Sequence, residues 1–320
     1  MRQWTKYEAV PWTVPAVSNA SNAEDYFAQM GGYHTDDAYQ TPSAFFAKHL
    51  YADPRLLAYD RFLQGRVRNG ERILSVASGR CVNELQLMKM ADADVVCSEL
   101  SEPPCLGATR AIFPDVKFLK LDVLNDDPPG IYESVLSLSL IYAFDDAQLL
   151  RFFRFVSRAL KPGGRLLLDL ASSPDSLVTW LLHDVFLPAE AALLAGYLTL
   201  KLRTPHKVQV VPHGYRRSIE DVARVAREVD LELVDVQLDC FDIELSRSVL
   251  LRRLQATAVG AMLLAKLRPR IPYVRMAEFV FRPSGGGEEH GPARLGLAAE
   301  SGYTLSLPCG SAGLKVQYGH

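Results

Sequence analysis

Between Arg72 and Leu170 the chain alternates short apolar runs with stretches of helical spacing, and no other feature restricts its fold so sharply. Arg72-Ile73-Leu74-Ser75-Val76-Ala77 is the first run, set off by the turn residues Asn69-Gly70, and Val82 to Met90 follows at helical spacing. Asp94 to Glu99 is a second run, ahead of a helix from about Pro103 to Phe113. Val116 to Asp122 is a third, and Ser134 to Leu140 a fourth, rich in Leu and Ser. Leu149, Phe152, Phe153, Val156 and Leu160 then share one helical face, which Pro162-Gly163-Gly164 stops, and Arg165 to Leu170 is a fifth run. Apolar runs this short are strands rather than helices, and strands alternating with helices pair in parallel, because each helix carries the chain back across a face of the sheet. The pattern predicts an α/β fold with a doubly wound, mostly parallel sheet and helices on both faces.

The flanking segments are less regular. Residues 1–45 read as an irregular arm, and from Pro42 to about Arg68 the apolar spacing is helical, broken at Pro54. From Ala171 to Arg217 the pattern loosens, apart from a β-like Lys207 to Val211. Ser218-Ile219-Glu220-Asp221 is a capping box that opens a helix. Leu231 to Ile243 alternates as a long strand, and Met276 to Phe281 is the last one. Residues 284–320 open on Ser-Gly-Gly-Gly and never regain periodicity, as expected of a disordered tail.

A net charge of −2 over 320 residues leaves no broad basic field for a nucleic acid backbone. Five scattered cysteines, with no Cys-x-x-Cys pair, argue against a disulfide framework or a zinc site and for a reducing compartment. No metal site is expected. The N-terminus lacks the apolar core of a signal peptide. The nearest approach to a membrane span, Leu177 to Leu202, carries His183, Asp184, Glu190 and Lys201. The expected location is cytoplasmic.

Ligands of an open parallel sheet sit beyond the carboxyl ends of its strands. The first strand ends in Ala77-Ser78-Gly79-Arg80-Cys81, where Gly79 permits a tight turn and close backbone approach. A dinucleotide site would want Gly-x-Gly-x-x-Gly there, so NAD and FAD are disfavoured. The second strand ends in Glu99, followed by Leu100, where a carboxylate can accept both hydroxyls of a ribose. The third ends in Asp122-Val123, an acid and an apolar side chain suited to an adenine amine and ring face. Leu138 and Ser139, near the end of the fourth strand, are the candidate cofactor contacts there.

From about Arg72 to Arg282 these residues resemble the class I S-adenosylmethionine (SAM) dependent methyltransferases. Ile73-Leu74-Ser75-Val76-Ala77-Ser78-Gly79 is similar to the family's first motif, Glu99 to its ribose acid, Asp122-Val123 to its adenine position, and Leu160-Lys161-Pro162-Gly163-Gly164 to its turn before the fifth strand. The resemblance implies a Rossmann-like seven-stranded sheet of order 3-2-1-4-5-7-6, SAM as cofactor, and methyl transfer to a small acceptor. It also implies a SAM-binding domain over 66–283, behind an arm and helical lid at 1–65, with an acceptor-side insertion at 171–217 and a basic helical insertion at 245–275. The family usually has an acid where Ser75 stands, to hold the methionine ammonium, and glycines where Ala77 and Cys81 stand. Glu84 is the candidate replacement for the acid, or else only a favourable charge at a helix entry. Arg80 either meets the methionine carboxylate or is a solvated loop arginine.

On the acceptor side the expected residues are Tyr142, after the fourth strand, and His213, before the capped helix. His183, His206 and His34 are further candidate bases. The segment 245–277 carries seven Lys and Arg and no acid after Glu244 until Glu278. It reads as a helix covering the sheet edge with a solvated basic face, in preference to a surface for anionic lipid. No Asn-Pro-Pro-aromatic motif follows the fourth strand, and Pro103-Pro104-Cys105 lies in the wrong loop for a cytosine-methylating nucleophile. A non-catalytic SAM-fold scaffold is the competing reading, on the strength of the altered first motif.

Overall fold

The computed structural model describes residues 2–15, 41–170, 177–239, 245, 248–267 and 273–283. The elements in chain order are β1 (Arg2–Pro11), α1 (Pro42–His49), α2 (Pro54–Gln64), β2 (Arg72–Val76), α3 (Val82–Ala91), β3 (Asp94–Glu99), α4 (Leu106–Ile112), β4 (Lys117–Lys120) and β5 (Tyr132–Ser137). They continue with α5 (Asp146–Ala159), β6 (Leu160–Asp169), α6 (Leu177–Trp180), a π-turn (Leu181–Phe186), α7 (Leu187–Leu202) and β7 (His206–Arg216). The last are α8 (Ile219–Arg227), β8 (Leu231–Asp239), α9 (Val249–Gln255), α10 (Ala258–Leu267) and β9 (Tyr273–Phe281).

Seven strands form one sheet in the order β4-β3-β2-β5-β6-β9-β8. Counting only these seven, that is the expected 3-2-1-4-5-7-6. The strands β2 to β6 pair in parallel, and β9 runs antiparallel to both β6 and β8. Side chains alternate across a strand, so each strand feeds two cores. Leu74, Val76, Val135, Leu166 and Leu168 pack with Phe152, Phe153 and Val156 of α5 and Val222 of α8. Ile73, Val95, Leu136 and Leu167 pack on the other face with Phe45, Phe46, Tyr59 and Phe62 of α1 and α2 and Leu85 of α3. Helices α1, α2, α5 and α8 start where short polar caps satisfy their first N–H groups: Thr41, Asp53, Asp145 with Gln148, and Ser218.

Three expectations change. The arm is not irregular throughout: Arg2–Pro11 is a strand that pairs antiparallel with all of β7, Trp4 facing Gly214, in a separate two-stranded ribbon. Its partner lies some two hundred residues away, beyond the reach of any local pattern. The helices at 42–64 are no lid either, because Phe45, Phe46, Leu50, Tyr59, Phe62 and Leu63 are buried under the sheet. Finally, α9 and α10 do not turn their apolar residues onto the sheet edge, since Val249, Leu250, Leu254, Val259, Met262 and Leu263 are exposed. His34 and the tail at 284–320 lie outside the described residues.

Candidate functional site

Beyond Val76 the chain turns sharply over the crest of the sheet. Ala77, Gly79 and Cys81 all adopt positive φ, of 56°, 54° and 58°. Two of these residues carry a Cβ, and each such conformation costs roughly 1–2 kcal/mol. The left-handed backbone is therefore kept although glycine has gone. A Cβ built on Gly79 would meet nothing within 4 Å, so the space above this peptide is open. Ser78 is pinned below, its N–H donating to the Ser98 carbonyl at 3.0 Å.

Glu99, at the end of β3, reaches across to this turn. Its Oε1 accepts the Gly79 N–H at 2.8 Å. Burial is the main reason its pKa rises from 4.5 to about 7; the Gly79 and Leu100 N–H groups oppose the shift and the neighbouring Glu84 charge adds to it. The carboxyl is thus poised to ionise when a hydrogen-bond donor arrives. Leu100 is exposed beside it.

Ser75 of the first strand is joined to an acid of the next helix. Ser75 Oγ donates to Glu84 Oε1 at 2.6 Å, and both side chains are buried. Burial raises the Glu84 pKa, with the Ser75 hydrogen bond opposing. The Glu84 carboxyl is thus held against Ser75 of β2 instead of facing solvent. Arg80 is no solvated loop residue: it is half-buried, and its Nη1 lies 3.1 Å from His49 Nε2 on α1.

Asp122 is used differently from what its position suggests. Its Oδ1 accepts the Leu124 N–H at 2.9 Å and its Oδ2 the Asn125 side chain at 2.7 Å. A tight loop leaves N–H groups that need acceptors, and the nearest short acid caps them. Val123 belongs to the α5-side core and borders a hollow it shares with Leu124, Arg151 and Arg154. The crest thus gathers Ser75, Ala77, Ser78, Gly79, Arg80, Glu84 and Glu99, while Asp122 and Val123 serve their own loop.

Past β5, Ser139 has φ 62°, and its N–H donates to Asp169 Oδ1 at the end of β6. Asp169 Oδ2 accepts the Tyr59 hydroxyl at 2.6 Å, and Tyr59 Oη lies 2.9 Å from Ser139 Oγ. Of the three, Ser139 was a candidate cofactor contact, whereas Tyr59 and Asp169 escaped the sequence reading, although Asp169 stands at a strand end like Glu99. Leu138 is half-buried against the α1–α3 core.

The acceptor-side residues do come together. The rings of Tyr142 and His213 stack at 5.1 Å and 29°, and Trp4 of β1 lies edge-on to both, at 5.4 and 4.5 Å. His183, in the π-turn, is buried with its ring 6.0 Å from Trp4. The buried Arg216 guanidinium covers the Trp4 ring at 5.5 Å. Gly214 lets this wall close: a Cβ there would fall 2.3 Å from the Tyr142 carbonyl oxygen. His206 sits at the other end of the ribbon, its Nδ1 2.7 Å from the Thr204 carbonyl. No cluster of three or more metal-ligating side chains occurs among the described residues.

No protein-family model matches the chain, and no curated protein matches it in sequence. Solved structures resemble its backbone at low identity. One is a 1,6-didemethyltoxoflavin N1-methyltransferase of Burkholderia thailandensis holding S-adenosylhomocysteine, at TM-score 0.49, 12% identity, 86% of this chain and 95% of that one. A cyclopropane synthase of Mycobacterium tuberculosis gives TM-score 0.47, 16% identity, 70% and 84%. The magnesium protoporphyrin IX methyltransferase of Synechocystis gives 0.47, 14%, 81% and 97%. In strand order, with its antiparallel β9 between β6 and β8, the chain has a doubly wound, mostly parallel, Rossmann-like α/β fold.

Proposed function

We propose that the chain is a SAM-dependent methyltransferase acting on an O or N atom of a small-molecule or glycan-type acceptor. One observation carries the reading: Glu99 bends onto the Gly79 turn, leaving an unsaturated carboxyl beside open space. The groups present fit the cofactor. A ribose offers two hydroxyl donors, which Glu99 can accept as a carboxylate. A methionine ammonium calls for an anion, and Glu84, bonded to Ser75, is the carboxyl that could meet it. A methionine carboxylate calls for a cation, and Arg80 has further donors beyond the one beside His49.

Bound there, the sulfonium supplies an activated methyl group for in-line displacement. The protein's share is to align the acceptor and remove its proton. Orientation alone is worth up to roughly 7–11 kcal/mol in favourable cases. The Tyr142–His213 stack offers an aromatic wall against which a small acceptor can lie, and His213 is its candidate general base.

The engagement of Asp122 by its own loop favours a second reading, a SAM-fold module that binds without catalysing. Calorimetry with SAM and S-adenosylhomocysteine decides between binding and none. Micromolar binding that disappears in Glu99→Ala supports the cofactor assignment, and silence with both ligands refutes it. A radiolabelled methyl transferred to members of an acceptor panel then separates enzyme from module.

A further inference from the structure

We propose that the face formed by α7 with the α9–α10 pair docks on an anionic lipid bilayer, lying in the plane of its surface. Leu193, Tyr197 and Leu200 fall on one stripe of α7, and Leu193 and Leu200 are 70% and 82% exposed. Val259, Met262 and Leu263 make a second exposed stripe on α10. Glu190 ties the two together, since its carboxylate caps α9 by accepting the N–H groups of Val249 and Leu250, each at 3.0 Å, and the Ser248 hydroxyl. Apolar patches this extensive are rare on soluble monomers and mark a docking surface.

Charge selects the occupant. Lys201, Arg203, Arg252, Arg253 and Lys266 are exposed on the same elements. The acids of these elements are spent within the fold, Glu190 on the α9 cap and Asp184 on Arg2 at 2.8 Å. A second copy meeting this face across a two-fold axis would set cation against cation with no acid to pair. Anionic headgroups satisfy the cations while the acyl boundary takes the leucines. The edge of the face is equipped for such a boundary. Trp12 is 64% exposed, bonded through its N–H to the Pro205 carbonyl just past α7, with Lys207 Nζ 5.8 Å from its ring. Tryptophan and long cationic side chains favour that apolar–polar margin.

The helical stretch Leu181–Leu202 is long and apolar enough to cross a bilayer, with a mean hydropathy of 1.4. Crossing is opposed by its inner face. Ala191 and Ala195 are buried, Thr199 Oγ1 accepts the His206 N–H at 2.9 Å, and Asp184 is paired with Arg2. A helix tied to the ribbon along its length lies on the surface.

Flotation of the full chain with vesicles tests this. Retention on vesicles with about a third phosphatidylglycerol is expected to exceed that on pure phosphatidylcholine roughly tenfold, and to weaken with salt. Leu193→Glu with Leu200→Glu abolishes it, and Arg252→Glu with Arg253→Glu lowers it at least roughly tenfold. All four positions are exposed, so circular dichroism and melting should match the parent. Absence of retention on the anionic vesicles overturns the proposal, as does retention that neither double variant reduces. A dimer seen by light scattering, dissolved by the leucine variant and unaccompanied by vesicle binding, overturns it in favour of a second copy.

Discussion

Glu99 makes ligand binding a pH-dependent event whose size follows from the structure. Burial holds its carboxyl at about 7 in the free protein. Ribose hydroxyls donate hydrogen bonds, so they bind the ionised form and release the proton. If only the ionised fraction is competent, the apparent Kd is the intrinsic value divided by that fraction. At pH 8 about nine-tenths of the sites are competent and at pH 6 about one-tenth, so affinity falls roughly tenfold between them. Calorimetry in two buffers of different ionisation heat should register release of about 0.9 proton at pH 6 and about 0.1 at pH 8. Glu99→Gln removes the dependence and, by deleting charge-assisted bonds worth about 1.5–3 kcal/mol, weakens binding at pH 8 by roughly ten- to hundredfold.

The same group gives a stability signature with the opposite sense from an ordinary acid. Its folded pKa of about 7 exceeds the ordinary 4.5, so the folded state holds more protons between these values. Stability contributed by the neutral form is fully present below the unfolded pKa and is lost as pH rises through about 7. The loss is at most about 3 kcal/mol, less whatever the partial solvent access of Glu99 screens. Glu99→Gln should therefore be the more stable protein at pH 8 while binding less well. A pH-independent Kd between 6 and 8 in the parent refutes the reasoning, as does a glutamine variant that keeps both affinity and slope.

Ser75→Asp restores the family's usual acid but sets it against the buried Glu84, and should destabilise by about 3 kcal/mol or more in urea unfolding. Adding Glu84→Gln should recover most of that loss along with SAM affinity. Ala77→Gly relieves a left-handed residue at the cost of unfolded-state entropy, and a net gain of about 0.5–1 kcal/mol is expected from the same assay. Gly214→Ala forces a methyl onto the Tyr142 carbonyl and should cost about 2 kcal/mol or more, with a fall in the melting temperature.

What the sequence made legible was whatever depends on neighbours along the chain. Alternation of strand and helix fixed the sheet, since Arg72 to Asp169 contains all five parallel strands and the helices between them. Glu99 and Gly79, twenty residues apart, were found because strand ends and tight turns announce themselves locally. The Tyr142–His213 stack was reachable only as two separate guesses, because the ribbon that joins them pairs residue 4 with residue 214. Trp4 carried no signal, lying in a stretch whose strand character depends on a distant partner. Asp169 did carry one, an acid at the end of a buried strand, and the strand-end rule could have found it. Asp122 obeyed that rule and proved to be a loop cap, because the rule fixes where an acid stands and not which N–H groups compete for it.

The turns at the crest of the sheet keep a strained shape because their surroundings hold them there. Three non-glycine residues, Ala77, Cys81 and Ser139, hold positive φ in loops at the carboxyl ends of neighbouring strands β2 and β5. Each stores of order 1–3 kcal/mol, and such strain persists only where surrounding contacts over-determine the backbone. Those contacts are present: Ser78 bonded to Ser98, Gly79 to Glu99, Ser139 to Asp169, and Asp169 to Tyr59. Ala77 and Cys81 thus keep a left-handed backbone that glycine would adopt without strain, and the contacts around them, with the Ser75–Glu84 bond beneath, hold the crest in one shape.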